Sequence, residues 1–339
     1  MAVTAVPALQ MTNASSLAGA RILITGGLGL IGSNLAMRLV NLGCEVLLID
    51  TLNENFGGNL FNVQGIRGQV TINISDIRDK HGLHFLLRDR DFVFNLAGQT
   101  SHMDSMSAPF EDLEINCVAQ LSLLEVCREV NPAARIVYAS TRQVYGRPRS
   151  LPVDETHALA PVDVNGINKI AGESYHLLYH NAHGLRTTVL RLTNTFGPHM
   201  RIKDARQVFL GMWIRRVLEG RSFEVWGGQQ RRDFTYVDDA AEAFIAAVLS
   251  PGTLGKVFNV GGSEPVRLLD VADMLVAASG EGSYTVRDFP SDRQKIDIGD
   301  YYTDDSSFRR LTGWRPRVEL ADALKRSVDF YRQHLPYYL

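Results

Sequence analysis

The stretch from Arg21 to Asp50, RILITGGLGLIGSNLAMRLVNLGCEVLLID, constrains this chain more than any other. Arg21–Thr25 is a short β-rich run, and glycines follow at 26, 27, 29 and 32. Ile31 to Leu42 then carries apolar residues at helical spacing, and Glu45–Ile49 is a second apolar run closed by Asp50. Strand, glycine turn, helix, strand and acid in that order make a dinucleotide-binding unit. Gly26 and Gly29 let the backbone turn tightly and approach a pyrophosphate, while Gly32 lets the helix lie close to the strand. The helix start, at Leu30 and Ile31, offers free N–H groups to phosphate. Asp50 is placed to bond the adenosine ribose hydroxyls, and its charge repels a 2′-phosphate, so the expected cofactor is NAD and not NADP.

The chain has 339 residues, enough for one large domain or two smaller ones. A net charge of −2 with 45% hydrophobic residues gives no basic excess to attract nucleic acid. No apolar run approaches the ~20 residues that span a bilayer, so no membrane partner is expected. Cys44, Cys117 and Cys127 cannot all pair, and they read as buried thiols in a reducing, cytoplasmic setting. Residues 1–19 are rich in Ala, Ser and Thr without a basic start or an apolar core, which reads as a flexible extension and not a secretion signal.

Further along, Val70–Ile74, Phe92–Leu96, Arg135–Ala139 and Thr187–Leu192 read as buried strands. Asp79–Arg88, Glu111–Val130 and Gly166–His183 read as helices between them. This alternation predicts an α/β fold, a doubly wound Rossmann parallel sheet covered on both faces. The nucleotide-binding domain is expected over 20–193, with a segment at about 236–262 returning to it through the strand Lys256–Val260. Residues 194–235 and 263–339 are expected to interleave into a smaller substrate-binding domain, its cleft at the carboxyl ends of the strands.

These blocks resemble the extended short-chain dehydrogenase/reductases, the group of nucleotide-sugar epimerases and dehydratases. The resemblance runs from about Arg21 to Leu335. It is carried by TGGLGLIG at 25–32, Asp50, Asp76-Ile77, NLAGQ at 95–99, Asn116, YASTRQVYG at 138–146 and NGINK at 165–169. RLTNTFGP at 191–198, RRDFTYVDD at 231–239, FNVGG at 258–262 and GWRP at 313–316 continue it in the same order. NLAGQ and STRQVYG look most like CDP-paratose (CDP-tyvelose) 2-epimerases, and RLTNTFGPHM more like UDP-glucuronate decarboxylases. The resemblance implies a tightly held NAD touched by Asp76, Ile77, Leu96, Ala97, Gly98, Gln99, Asn116 and Lys169. It implies a nucleotide-diphosphate sugar as substrate, oxidised to a keto-sugar and reduced again, most often with epimerisation. It also implies a homodimer built on Glu111–Val130 and the helix that follows Asn165.

In that family a Ser/Thr, a Tyr and a Lys share the proton transfer, with Tyr and Lys four residues apart on one helical face. Here Thr141 takes the hydroxyl position and Lys169 the lysine position, but Asn165 stands where the tyrosine belongs. An amide has no accessible titration at neutral pH. Three readings stay open: a substitute base, His102 or Asp104 in the loop after NLAGQTS; water held by Asn165 and Thr141; or a protein that binds NAD and a nucleotide sugar without turning it over. A loop histidine is more often solvated than catalytic, but one that follows the fourth strand lies at the carboxyl edge of the sheet. Asp104 could orient His102 or cap a helix.

For the substrate, Asn194 follows the sixth strand, Arg201 and Lys203 lie in the next loop, and Arg232 is the best diphosphate ligand, with Arg293 second. Asp233 is expected to fix its loop, and Trp226 reads as core. Arg142-Gln143 replaces the Asp-Glu pair usual in dehydratases. Glu173, His176, His180 and His183 have the helical spacing of a metal set, but the helix is amphipathic in its own right, so no metal is expected.

Overall fold

The computed structural model describes residues 17–205, 209–262, 264–289 and 297–339. Seven parallel strands form its central sheet: β1 (Arg21–Thr25), β2 (Glu45–Asp50), β3 (Val70–Ile74), β4 (Phe92–Asn95), β5 (Arg135–Thr141), β6 (Arg186–Leu192) and, late in the chain, β11 (Lys256–Val260). Their order is β11-β6-β5-β4-β1-β2-β3, and every neighbouring pair is parallel. The strand order reverses between β1 and β4, which opens a crevice above their carboxyl ends. The Lys256–Val260 run does rejoin the sheet, pairing with β6 from Lys256↔Thr188 to Val260↔Leu192.

Helices cover both faces because β1, β2, β4, β5 and β6 are apolar on both sides. On one side α1 (Leu30–Asn41) packs with Val237–Leu249 in a core that holds Ile22, Leu35, Leu48, Phe94, Phe244 and Trp314. On the other, Ala119–Val130 and Val164–His183 cover Leu23, Leu47, Val93 and Ile136. Leu17, inside the stretch expected as an extension, is buried in the first core, so the folded body already includes it.

In chain order, α2 is Lys80–Leu86, α3 His102–Ser107, α4 Pro109–Leu113, α5 Ala119–Val130 and α6 Val164–His183. One π turn, Glu114–Val118, joins α4 to α5. A third core gathers β7 (Asn194–Phe196), α7 (Phe209–Leu218), β8 (Ser222–Trp226), β9 (Arg231–Arg232) and β10 (Phe234–Tyr236). With them pack α8 (Val237–Leu249), β12 (Val266–Arg267), α9 (Leu268–Ser279), β13 (Ser283–Arg287) and α11 (Leu320–His334); the short α10 (Ser306–Thr312) lies against β11 instead. Its centre is Met200, Ile214, Val225, Val271, Leu324 and Tyr331. This cluster includes Leu30, the first residue of α1, which follows the carboxyl end of β1.

Candidate active site

A cleft of about 410 Å³ runs along the switch point and is lined by Gly26, Gly29, Leu30, Ile31 and Gly32 at the turn after β1. Asp50, Asp76, Ile77, Leu96, Ala97, Gly98 and Gln99 continue the lining, and Thr141, Asn165, Lys169 and Asn194 close it. All but one of the residues expected around a dinucleotide therefore line one cleft, although they come from five separate segments. Asn116 lies just behind, on the π turn, with Nδ2 donating to Gln99 O at 2.9 Å.

The glycines fit the tasks read from the sequence. A Cβ on Gly32 would lie 2.2 Å from Gly26 O, and a Cβ on Gly26 would meet Ala97 Cα at 3.0 Å with φ at +67°. Gly29, the residue before α1, has only Gly26 O at 3.5 Å, so its missing side chain leaves room on the cleft side. Asp50 accepts N–H bonds from Leu28 at 2.9 Å and Leu52 at 2.8 Å. Burial raises its carboxyl, and those two bonds oppose the rise. Asp76 is gripped by Arg78, which also reaches Glu114; burial pushes the Asp76 carboxyl up, but the Arg78 bonds outweigh it and hold it low.

Lys169 is buried on α6. Its Nζ donates to Ala139 O at 3.0 Å and stands 4.9 Å above the Tyr138 ring. Burial brings its ammonium down to about 8, with Asp112 and Glu173 opposing. A Cβ on Gly98 would lie 3.1 Å from that Nζ and 2.7 Å from Asn116 Oδ1. Asn116 Oδ1 and Gln99 Oε1 are both buried without a hydrogen-bond partner among the described residues. Two orphaned acceptors beside a glycine cradle fit a ligand that brings its own donors, as a dinucleotide does.

Asn165 is buried, and its Nδ2 donates to Gln99 O at 2.8 Å and to Asp112 Oδ2 at 3.0 Å. Both amide hydrogens are thus spent inside the protein. Thr141 Oγ1 accepts from Gln143 N at 3.2 Å. His102 lines the same cleft, and its Nδ1 lies 3.0 Å from Asp163 Oδ2. The cap of α3 is Ser101, accepting from Asp104 N at 3.1 Å.

A second cavity of about 870 Å³ adjoins the first and shares His102, Arg142, Gln143 and Asn194 with it. Arg232 lines it, bonded to Gly299 O and 3.3 Å from Asp297 Oδ1. Burial and the neighbouring Arg142 charge bring its guanidinium down to about 10. Asn194 spans the join: Oδ1 accepts from Arg142 Nη2 and Nδ2 donates to Asp233 O, both at 3.0 Å. Asp233 fixes its loop as expected, accepting from Thr303 N at 3.0 Å, and burial lifts its carboxyl to about 6.

Several expectations change. Trp226 is half-buried on the wall of the second cavity and not in the core, because β8 turns that face toward the opening. Arg201 is committed to Asp204 and Glu54 O, and Lys203 lies 3.8 Å from Glu54. Arg293 lies outside the described residues. Cys44 and Cys127 are buried free thiols, but Cys117 is only half-buried. The α6 histidines have separate partners: His176 Nδ1 bonds Gly172 O, His180 Nδ1 bonds Leu185 O, and His183 packs on Tyr179. Glu173 is paired with Arg191 at 2.6 Å. Sequence reasoning missed Asp112, Asp163 and the part played by Arg142. Asp163 left one signal, an acid directly ahead of a helix, and it is indeed the N-cap, accepting from Gly166 N at 2.7 Å.

The NAD dependent epimerase/dehydratase family model matches residues 22–261. This chain belongs to that family. Its cofactor is NAD, which the glycine cradle and the orphaned acceptors fit. The dTDP-glucose 4,6-dehydratase of Streptomyces niveus is 30% identical over 93% of this chain and 93% of its own length. The UDP-glucuronic acid decarboxylase 1 of Xenopus tropicalis is 30% identical over 93% of this chain and 73% of its own. A solved UDP-glucose 4-epimerase of Thermus thermophilus, in complex with NAD, superposes with a TM-score of 0.82 at 30% identity, covering 92% of this chain and 99% of that one. Among the described residues no helix is long and apolar enough to cross a membrane.

Proposed function

We propose that this protein is an epimerase of nucleotide-diphosphate sugars that works through a transient keto-sugar. One observation carries the reading: the glycine-lined cleft, which holds Thr141, Asn165 and Lys169, and the arginine-bearing cavity share a wall made by His102, Arg142, Gln143 and Asn194. NAD, when bound, supplies a two-electron acceptor that gives back what it takes. Lys169 holds a positive charge next to the cleft, Thr141 offers a hydroxyl to the reacting oxygen, and the glycines let the backbone reach a pyrophosphate. In the second cavity Arg232 and Asn194 would grip a diphosphate, Trp226 offers a ring face to a base, and the core around Val225 and Leu324 serves as the sugar-nucleotide domain. Phe110, Val118, Ile167 and Leu178 leave exposed apolar side chains on α4, the π turn and α6, which supports a homodimer through that face.

The test is a panel of CDP-, UDP-, GDP- and dTDP-sugars followed by NMR in deuterated water. Epimerisation next to the oxidised carbon brings in deuterium, whereas inversion at the oxidised carbon itself does not. A panel that stays entirely unchanged ends the catalytic reading and leaves a binding protein. Decarboxylation of a uronate sugar is the second reading. Arg142 favours it, since its buried guanidinium faces the junction with no carboxylate in ion-pair contact among the described residues. A product lighter by carbon dioxide identifies that outcome.

A further inference from the structure

We propose that His102, held by Asp163, accepts and returns the substrate hydroxyl proton in place of the missing phenol, with His102 as the catalytic residue and Asp163 as a positioning residue. This deepens the reading above and rests on it.

The side chains nearest the family's usual pattern are unsuited to the task. Both amide hydrogens of Asn165 are committed to Gln99 O and Asp112, and its remaining oxygen cannot take a proton at neutral pH. The ammonium of Lys169, brought down to about 8, still carries its charge at neutral pH and so donates. Thr141 is an alcohol, and its oxygen already accepts from Gln143 N.

Four residues line both cavities: His102, Arg142, Gln143 and Asn194. Of these side chains, imidazole alone exchanges protons in the neutral range. A proton acceptor has to stand where cofactor and sugar meet, and the shared wall is that place.

Asp163 prepares the ring. Its carboxylate is wholly buried and lies 3.0 Å from His102 Nδ1. Gly166 N donates to its other oxygen at 2.7 Å, and Gln143 Nε2 approaches at 3.4 Å. Burial pushes this carboxyl up, but His102, the Gly166 N–H and the Arg142 charge outweigh that and keep it ionised. That fixed negative charge lies 3.0 Å from Nδ1, a charge contact without hydrogen-bond alignment, and it favours the ring proton on Nδ1 and the lone pair on Nε2. A buried acid orienting an imidazole is the logic of hydrolase triads, applied here to a hydroxyl. Asp104 and Glu111 add negative charge around the ring from α3 and α4, and Arg142 and Lys169 add positive charge from the turn after β5 and from α6.

The step balances without another reagent. The hydroxyl proton passes to Nε2 while the carbon's hydrogen leaves with its electron pair to the cofactor. The carbon is oxidised to a ketone by two electrons, and the second half-reaction returns both hydrogens.

Two measurements test this on the NAD-loaded protein. The first needs no turnover: nitrogen-15 NMR of the histidine side chains at a pH where the ring is neutral. His102 is expected as the Nδ1–H form in the native protein and as a mixture in Asp163→Asn, which retains an amide able to cap α6. The same tautomer in both proteins, or Nε2–H in the native one, overturns the role of Asp163. The second is kinetic. His102→Ala is expected to lose at least 100-fold in kcat with little change in KM and in NAD affinity, and added imidazole to restore at least tenfold of it. Retained kcat, or a loss that imidazole leaves untouched, overturns the role of His102. If the native protein converts no sugar, the proposed function falls, and the tautomer result alone decides whether the dyad exists.

Discussion

Asn165 Nδ2 lies 3.0 Å from Asp112 Oδ2, so the residue in the tyrosine position belongs to a buried acid–amide pair before it meets any ligand. Asn168 completes the pair, donating to Asp112 Oδ1 at 2.8 Å. Together the two amides of α6 hold a fully buried carboxylate on α4, which ties α4 to the helix carrying Lys169.

This gives the first prediction. Asn165→Leu keeps the number and branching of side-chain heavy atoms but removes one of the two donors to Asp112. Leaving a buried carboxylate short of a partner costs about 1–3 kcal/mol. The urea midpoint should fall accordingly while NAD still binds. An unchanged midpoint would show that Asp112 does not depend on Asn165.

The turn glycines separate folding from binding. A methyl on Gly32 would meet Gly26 O at 2.2 Å and Gly27 Cα at 2.8 Å, both backbone atoms that cannot step aside. Gly32→Ala should destabilise by at least ~1–3 kcal/mol, the cost of overpacking. A methyl on Gly29 meets nothing closer than 3.5 Å, and its φ of −83° suits any residue. Gly29→Ala should therefore melt within a few degrees of the native protein yet bind NAD at least tenfold more weakly. Thermal melts and calorimetry on the pair check both statements, and a reversed pattern would undo the assignment.

Much of this was legible because it is periodic or punctuated. The β1–α1–β2 unit shows itself through three spaced glycines and a terminal acid, Val70–Ile74 through the alternation of Val70, Ile72 and Ile74, and Lys256–Val260 through Val257, Phe258 and Val260. Trp226 and Arg201 were misread because a single residue's environment is set by partners far along the chain: Phe289 faces one, and the Glu54 carbonyl holds the other. Asp112 was invisible for the same reason, and Asp163 showed only as a helix cap. An acid in a polar stretch looks solvated until folding brings Asn165, Asn168 or His102 against it.

Asp50 is expected to set cofactor choice. Asp50→Asn keeps the size and one acceptor for the Leu28 and Leu52 amides but removes the charge. NAD should bind several-fold more weakly, because charged acceptors make the stronger bonds. NADP should gain relative to NAD, since the repulsion of its 2′-phosphate is gone. Calorimetry with both dinucleotides checks this, and an unchanged ratio of affinities would refute it.

The face of α6 that carries Ile167 and Leu178 is expected to pair with a second copy of itself. Both side chains are more than half exposed, and Val118 and Phe110 extend the patch. Light scattering should give about twice the 37.6 kDa of one chain, and Leu178→Glu should give a monomer with its melting temperature lowered. A monomeric native protein would contradict the pairing.

Lys169 should show function held at the expense of stability. Burial lowers its folded ammonium to about 8, from the ordinary lysine value near 10.4. The unfolded chain therefore holds more protons than the folded one between those two pH values, and stability rises with pH through that window. Below it, folding must bury a charge. Across about two units this amounts to ~3 kcal/mol, offset by the bond to Ala139 O and by the Tyr138 ring. Lys169→Met, apolar and of similar length, should thus be at least as stable as the native apoprotein at pH 7, with the advantage shrinking toward pH 10. Activity should vanish, and NAD affinity should fall. Urea unfolding of both proteins at pH 7, 8.5 and 10 provides the test: a stability difference that does not change with pH would mean that Lys169 does not titrate in this window.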